Sequence, residues 1–454
     1  MISMRALVAI SAVSLGIAAC EGDVGRRPAL GVLHFPSSAL VSPDGRVLYV
    51  ANTNFNLEFN GALVQAFDLQ KIRTDALAAI AAGRPGNNAD EAAYVVRDAA
   101  GAIAREAAVR VGSYVSSMAL SPDNRRMYVA SRGTGCVHWF DVRPDGLLEC
   151  QQSSAGGACD EQQSSSNVHC VGASRSGPRS LLLPPNPTSL DVVDRAQPDG
   201  QTVRYITITH HEETRSRVSL MVQRGAEGVP VLSHFAGDFS PRLWTQLRLP
   251  SPDATASPRW IVFSRDEPVI GHVRLFEDGD RSFVFRAPPT VPTTVASALG
   301  VVHAVVDPCN ATRAYAAVRA RRSSGAGIGD ALFSIDLSNP DEPRVVDQLS
   351  LPLGASRVVP VKRGATCAQG VELYAVLYDA RKLYVVDADA WREVAQVRTQ
   401  VGPAEIIADP GLGQDGRNFL YVVNFSSMCI EVVDARTRQV VFTVGEPIRP
   451  RELS

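Results

Sequence analysis

Ser42-Pro43-Asp44-Gly45 followed by Leu48-Tyr49-Val50-Ala51-Asn52 is the stretch that decides the fold. Pro presets the first dihedral of a tight turn and Gly accepts the position after it. The apolar run that follows has the length and composition of a buried strand. The phrase then returns. Met127-Tyr128-Val129-Ala130-Ser131 follows Ser121-Pro122-Asp123-Asn124. Arg313-Ala314-Tyr315-Ala316-Ala317 follows Asp307-Pro308-Cys309-Asn310, and Leu420-Tyr421-Val422-Val423-Asn424 follows Asp409-Pro410-Gly411. Short strands recurring at roughly forty to fifty residues define a β-propeller.

Each repeat reads as four strands. A short first strand leads into the turn, and the Tyr-Val phrase is the second. The third is apolar and ends in Asp, at Asp68, Asp141, Asp336, Asp387 and Asp434. That Asp is placed to bind backbone N–H groups two residues on. The fourth alternates and is exposed, as in 394–398 and 440–444. The expected fold is all-β: a seven-bladed propeller of four-stranded antiparallel blades near 37–111, 114–151, 188–235, 243–287, 299–350, 355–398 and 403–444. The third and fourth blades keep the strand pattern but lose the phrase. Residues 29–35 are expected to add an outer strand that helps close the ring.

Two insertions of loop and helix interrupt the rhythm. Residues 70–105 carry an Ala-rich helical stretch, Asp75 to Ala82, stopped by Gly83-Arg84-Pro85-Gly86. Residues 152–180 read as a Ser-, Gly- and Cys-rich loop held by disulfides. Shorter expansions at 52–61, 210–217 and 319–330 lie between second and third strands, so they emerge on one face. That face is where a ligand or partner is expected.

The chain has 454 residues, 45% hydrophobic and 20% charged, with a formal net charge of −2. This balance argues against nucleic acid as a partner. Arg5 followed by an uncharged apolar run to Ala19 fits a signal-peptide core, too short for a comfortable membrane span. Its end, Leu15-Gly16-Ile17-Ala18-Ala19-Cys20, resembles a bacterial lipobox. The resemblance implies a signal peptide over 1–19, a lipidated Cys20 with a short linker to residue 28, and a propeller domain over 29–454. The protein is then expected in the cell envelope, held to a membrane by lipid.

Export lets the other seven of the eight cysteines pair, and an odd number leaves one free. Cys309 and Cys367 lie at matching places in consecutive repeats and are expected to form a bridge. Cys136, Cys150, Cys159 and Cys170 cluster around one insertion, with Cys136–Cys150 and Cys159–Cys170 as the favoured pairing. Cys429, starting a strand, is the expected free thiol.

In these motifs the chain resembles the YVTN-type seven-bladed propellers of bacteria and archaea. The last blade carries the pattern nearly throughout, from Gly402-Pro403 through Leu420-Tyr421-Val422-Val423-Asn424 to Val440-Val441-Phe442-Thr443-Val444-Gly445. The resemblance is specific for fold and poor for function, since the family includes surface-layer proteins, exported proteins of unknown role and relatives with lactonase or quinoprotein activity.

Candidate chemistry is sparse. His210-His211-Glu212-Glu213 has metal-ligand residue types. Adjacent strand side chains point to opposite faces, so a solvated loop is expected and no metal site is assigned. Arg319, Arg321 and Arg322, with Arg132 on a corresponding loop, would make a basic rim for a carboxylate or phosphate. His303 lies on a first strand facing the channel and is expected to be a hydrogen-bonded structural residue. There is no G-x-S-x-G elbow, and no cofactor is expected. The favoured reading is a monomeric, non-catalytic lipoprotein whose decorated face binds an envelope protein or glycan. The alternative is a hydrolase acting on a lactone or small ester in the central channel. An apolar, plugged channel would weigh against that alternative, and three or more convergent polar groups at the channel mouths would favour it.

Overall fold

The computed structural model describes residues 32–59, 61–83, 108–149, 168–170, 183–197, 200–214, 216–225, 228–239, 242–250, 257–266, 269–275, 277–278, 282–283, 291–292, 299–320, 330–409, 417–445 and 447. They form seven antiparallel blades of four strands each, consecutive in all but the fourth, with one extra strand on the second. Blade 1 is β1 (Pro36–Val41), β2 (Val47–Asn52), β3 (Ala62–Asp68) and β4 (Ala108–Val111). Blade 2 is β5 (Val115–Leu120), β6 (Arg126–Ser131), β7 (Cys136–Val142) and β8 (Leu148–Glu149), with β9 (Val168–Cys170) added beside β7. Blade 3 is β10 (Pro187–Ala196), β11 (Thr202–His210), β12 (Ser216–Arg224) and β13 (Val231–Phe239).

Blade 4 is β14 (Leu243–Arg248), β15 (Arg259–Ser264), β16 (Val269–Arg274) and a last strand β19 (Val291–Pro292), reached after a separate hairpin of β17 (Glu277–Asp278) and β18 (Ser282–Phe283). Blade 5 is β20 (Leu299–Val306), β21 (Arg313–Ala320), β22 (Asp330–Asp336) and β23 (Arg344–Leu351). Blade 6 is β24 (Ala355–Lys362), β25 (Val371–Leu377), β26 (Lys382–Asp387) and β27 (Arg392–Arg398). Blade 7 is β28 (Pro403–Ala408), β29 (Phe419–Asn424), β30 (Cys429–Asp434) and β31 (Gln439–Val444). The blades agree with the sequence reading to a few residues, except that blade 4 ends beyond 287 because of its inserted hairpin.

Seven buried apolar clusters fill the seven seams between neighbouring blades. The Tyr-Val phrase supplies both sides of a seam because strand side chains alternate. In β2, Val47, Tyr49 and Ala51 pack toward blade 2, whereas Leu48 and Val50 pack toward blade 7. A strand buried on both faces must be apolar throughout, which is why the phrase lacks polar alternation. The tyrosines keep one polar atom and satisfy it deep in the seam. Tyr49 Oη donates to the Gly146 carbonyl of blade 2 (2.7 Å) and Tyr374 Oη to the Ala435 carbonyl of blade 7 (3.1 Å).

The turn chemistry also holds. Gly45 and Asn124 take positive φ of 66° and 58° in matching turns. The Asp that ends the third strand accepts the N–H two residues on at Asp336 (2.9 Å), Asp387 (3.0 Å) and Asp434 (2.9 Å). Asp141 instead pairs with the buried Arg126 (2.7 Å). Asp68 does something else again: it accepts the Lys71 N–H (2.9 Å) as N-cap of helix α1 (Leu69–Ala81). This cap starts the helix six residues before the Ala-rich stretch that announced it.

Among the described residues no strand is exchanged between the last blade and the first, and a helix packs into that seam. Residues 32–35 are irregular, so the described part of 29–35 is not the outer strand expected. Leu69, Ile72, Ala76 and Ala79 of α1 are buried in the blade 7–blade 1 cluster with Phe67, Tyr421, Ile430 and Phe442. Cys309 and Cys367 form a disulfide between blades 5 and 6 (Cα–Cα 5.4 Å), and Cys429 is a buried free thiol. Cys136 is disulfide-bonded and stands opposite Cys170 in the β7–β9 register. Cys150 and Cys159 lie outside the described residues, as do Cys20 and most of 152–180.

Candidate functional site at the channel mouth

Every first strand carries the same irregularity. The register shifts between Pro36 and Ser38, Val115 and Ser117, Pro187 and Ser189, Leu243 and Thr245, Val301 and His303, Ala355 and Arg357, and Pro403 and Glu405. Such a bulge leaves one residue unpaired and re-aims its neighbours. Here it does so seven times around the central axis. In blades 1 to 3 the unpaired residue bears a hydroxyl that stitches one blade to the next, whereas the Ser356 hydroxyl of blade 6 donates to Val376 of its own blade (3.4 Å). Ser37 Oγ donates to the Val115 carbonyl (2.9 Å), Ser116 Oγ to Pro187 (2.7 Å) and Thr188 Oγ1 to Leu243 (3.3 Å).

These strands enclose a cavity of about 800 Å³ lined by Ser37, Ser116, Thr188, Gln246, His303, Arg357 and Glu405 among others. The cavity is open, and these polar groups are set among apolar ones such as Leu40, Met118, Leu190 and Val302. Its charged groups are nonetheless engaged. Arg357 Nε donates to both oxygens of Glu405 (2.9 Å each). His303 Nδ1 accepts the Val358 N–H (3.4 Å), which puts its proton on Nε2. Burial, then the nearby Arg357, push the His303 pKa down to about 3, so the ring is neutral at ordinary pH. The expectation of a hydrogen-bonded His303 stands.

A second ring crowns the first. One position recurs in every blade, just past the second-strand residue that pairs across the bulge: Thr53, Arg132, His211, Arg265, Arg319, Tyr378 and Phe425, with the strand running on past it only in blade 5. In six blades its N–H donates to the carbonyl of the residue that enters the first strand, namely Phe35, Tyr114, Asn186, Arg242, Gly354 and Gly402. Blades 2–5 thus present three arginines and a histidine, while blades 6 and 7 present aromatics.

Trp244, on the bulge of β14, organises the basic side. The Arg132 and Arg265 guanidinium groups lie 5.3 Å and 4.3 Å from its ring centroid, and the His211 ring meets it edge-on at 5.7 Å. Arg319 is held by Asp379 (2.8 Å), and Arg242 by Asp266 (2.8 Å). Among the described residues no carboxylate pairs with Arg132 or Arg265. Burial holds both guanidinium pKa values below the ordinary one, and for Arg265 the charges of Arg319 and Arg132 add to the effect. Burial first, then Arg132 and Arg265, hold the His211 pKa low as well. Positive charge is thus concentrated here with incomplete compensation, at a concave site.

The sequence candidates divide sharply. Arg132, His211 and Arg319 come together at this mouth. His210 does not: it is fully buried, donating from Nδ1 to the Pro185 carbonyl (3.0 Å) and accepting from Ser219 Oγ at Nε2 (2.8 Å). It belongs to the second strand, one residue before the mouth position, and is removed from the candidate ligand face. Glu212 is tied to Arg217 (2.6 Å). Arg321 and Arg322 lie outside the described residues. Sequence reasoning missed Arg265, Trp244 and Phe425. The missing signal was positional: aligning the degenerate blade 4 on the residue after its second strand would have exposed Arg265.

No protein-family model matches the chain, and no curated protein sequence does. Among solved structures it is similar to the Kuenenia stuttgartiensis hydrazine synthase (16% identity, 91% of this chain and 98% of that one, TM-score 0.52). It is also similar to a putative 6-phosphogluconolactonase from Bacteroides uniformis (14% identity, 81% of this chain and 86% of that one, TM-score 0.51). At such identities the likeness establishes a shared fold, and the seven-bladed β-propeller is the class of protein defined here.

Proposed function

We propose that this is an exported, lipid-anchored binding protein of the cell envelope that captures a small anion, a carboxylate or phosphate, at the mouth of its propeller channel, without catalysis. The observation that carries the reading is the pair Arg132 and Arg265, both laid on Trp244 and neither in an ion pair with a carboxylate among the described residues, although the charge of Asp266 partly offsets that of Arg265. A concave cavity below them, lined by both polar and apolar side chains, favours a small ligand over the protein or glycan partner expected first. Titration calorimetry with inorganic phosphate and acetate tests it. Arg132→Ala and Arg265→Ala should each weaken binding about tenfold or more, the worth of a charge-assisted hydrogen bond. Absence of anion binding in the wild type counts against the reading. The anchor rests on the lipobox-like segment ending at Cys20. Palmitate labelling lost in Cys20→Ser supports it, and labelling retained there rejects it.

The hydrolase reading keeps one specific support, the convergence of His303, Arg357 and Glu405 in an open channel. It is disfavoured because the Arg357 and Glu405 side chains are paired with each other and His303 accepts a backbone N–H, which leaves no free general base. Turnover of small lactones that is lost in His303→Gln would reverse this preference.

A further inference from the structure

Opposite the arginines, the mouth is aromatic. Phe35, Phe55, Phe425 and Tyr114 touch in sequence, with ring centroids 5.2 Å apart for Phe35–Phe425, 5.3 Å for Phe55–Phe425 and 5.7 Å for Phe55–Tyr114. Phe55 is 51% exposed, and Leu57 beside it in the same loop is 60% exposed. Phe55, Tyr114 and Phe425 line the same cavity as Arg132 and Trp244. The two walls meet in blade 2, where the Arg132 N–H donates to the Tyr114 carbonyl (2.8 Å).

Backbone conformation gives a second, independent observation. The residue entering the first strand adopts positive φ in six of the seven blades. Blades 6 and 7 use Gly354 and Gly402 there, which accept that conformation freely. Blades 1, 2 and 4 place Phe35 (φ 48°), Tyr114 (φ 56°) and Arg242 (φ 62°) in the same conformation, where a bulky side chain is strained, and blade 3 places Asn186 (φ 51°) there. Folding alone is served by glycine, as blades 6 and 7 demonstrate. The two strained aromatics stand beside the mouth, which is where backbone strain tends to serve a ligand.

Building on the anion-binding reading, we infer that the ligand is an amphiphilic carboxylate: its acid group lies between Arg132 and Arg265, and its aryl or alkyl part lies against Phe55, Tyr114 and Phe425. The acid is recognised by charge, and the apolar part by aromatic surface that is otherwise left in water.

The test is calorimetry of the full-length protein with acetate, inorganic phosphate, octanoate, 4-phenylbutyrate and 1-octanol. Octanoate or 4-phenylbutyrate should bind at least tenfold more tightly than acetate, and 1-octanol more weakly than octanoate. Tyr114→Gly, whose backbone the new residue suits, and Phe55→Ala should each remove severalfold of the octanoate affinity and leave acetate unchanged. Arg132→Ala should weaken both acids. Equal affinity for acetate and octanoate overturns this inference and leaves the anion site standing. Equal affinity for octanol and octanoate overturns the anion reading itself. Octanoate affinity unchanged in both aromatic variants, with folding verified by circular dichroism, also rejects the apolar wall.

Discussion

Arg73, on helix α1 of the first blade, forms a two-pronged ion pair with Asp409 at the end of the inner strand of the last blade, 336 residues away in sequence. Asp409 is 1% exposed and also accepts the hydroxyl of Tyr421 (2.9 Å). The pair lies at the one seam where the chain's two ends meet. Arg73→Ala removes the partner of a buried carboxylate, a change that costs about 3–5 kcal/mol. Denaturant unfolding should show that loss, while a paired replacement of both residues by apolar ones should recover much of it. An unchanged midpoint in Arg73→Ala would remove the ion pair from the account of ring closure.

Glu431 gives a pH signature of opposite sign from that of most carboxylates. It is 2% exposed in blade 7, and burial pushes its pKa up to about 7 from 4.5, against the hydrogen bonds from Gln400 N–H (2.9 Å) and Asn424 Nδ2 (3.0 Å). Below pH 4.5 the group is protonated in both states and its contribution is fully present. Between 4.5 and about 7 the unfolded chain ionises first, so stability falls as pH rises, by about 3 kcal/mol in all. Glu431→Gln should match the wild type at pH 4.5 and exceed it by about that amount at pH 8. Equal stability across the range would show that the acid is not buried as described.

Buried histidines act in the other direction. Burial pushes His138 down to about 4 and His210 to about 3, from 6.5. Each is neutral when folded, and the unfolded chain takes up the proton below pH 6.5. Stability from these groups is therefore present above pH 6.5 and lost as pH falls. Thermal unfolding of His210→Gln should be less sensitive to acid between pH 6.5 and 4 than the wild type; identical acid slopes would exclude the assignment.

Gly354 shows how closely scaffold and site are joined. Its φ is 104°, and a Cβ there would meet the backbone N of Asp379 at 2.3 Å. Its own N–H donates to the buried Asp330 (2.6 Å). Gly354→Ala should destabilise the protein by about 1–3 kcal/mol through backbone strain. It should also disturb the Asp379 that holds Arg319, so phosphate affinity and unfolding midpoint should change together. A change in neither measurement would contradict the contact.

How much of this could be read from the chain depended on whether a residue serves the blade or the site. Tyr49, Tyr128, Tyr315 and Tyr421 recur because they fill seams with a large side chain whose one polar atom is hidden, and repetition makes such residues visible. Cys309 and Cys367 were legible for the same reason, since they occupy matching positions in adjacent blades. Helix α1 was visible by composition, but its start was not, because Asp68 looked like one more strand-ending Asp and became a cap. His210 misled because a two-residue His pair hides a phase: one member belongs to the strand and the other to the mouth. Arg265 and Trp244 were invisible because they sit side by side in a blade whose repeat has eroded, and Arg132 and His211 reach them only across the ring. The channel bulges leave no mark in sequence, since any residue can fill them.

The seven equivalent positions at the ends of the second strands have a further consequence. Six are fixed by the same backbone bond and the seventh, Arg319, lies in the continuing β20–β21 ladder, so the side chain can vary without altering the blade beneath. The mouth behaves as a row of interchangeable sockets, and specificity can drift one socket at a time while the seams stay constant. Two propellers of this build can share nearly every blade contact and still recognise unrelated ligands. In this chain the sockets read threonine, arginine, histidine, arginine, arginine, tyrosine, phenylalanine, a half-charged and half-aromatic spelling that the scaffold permits and does not itself require.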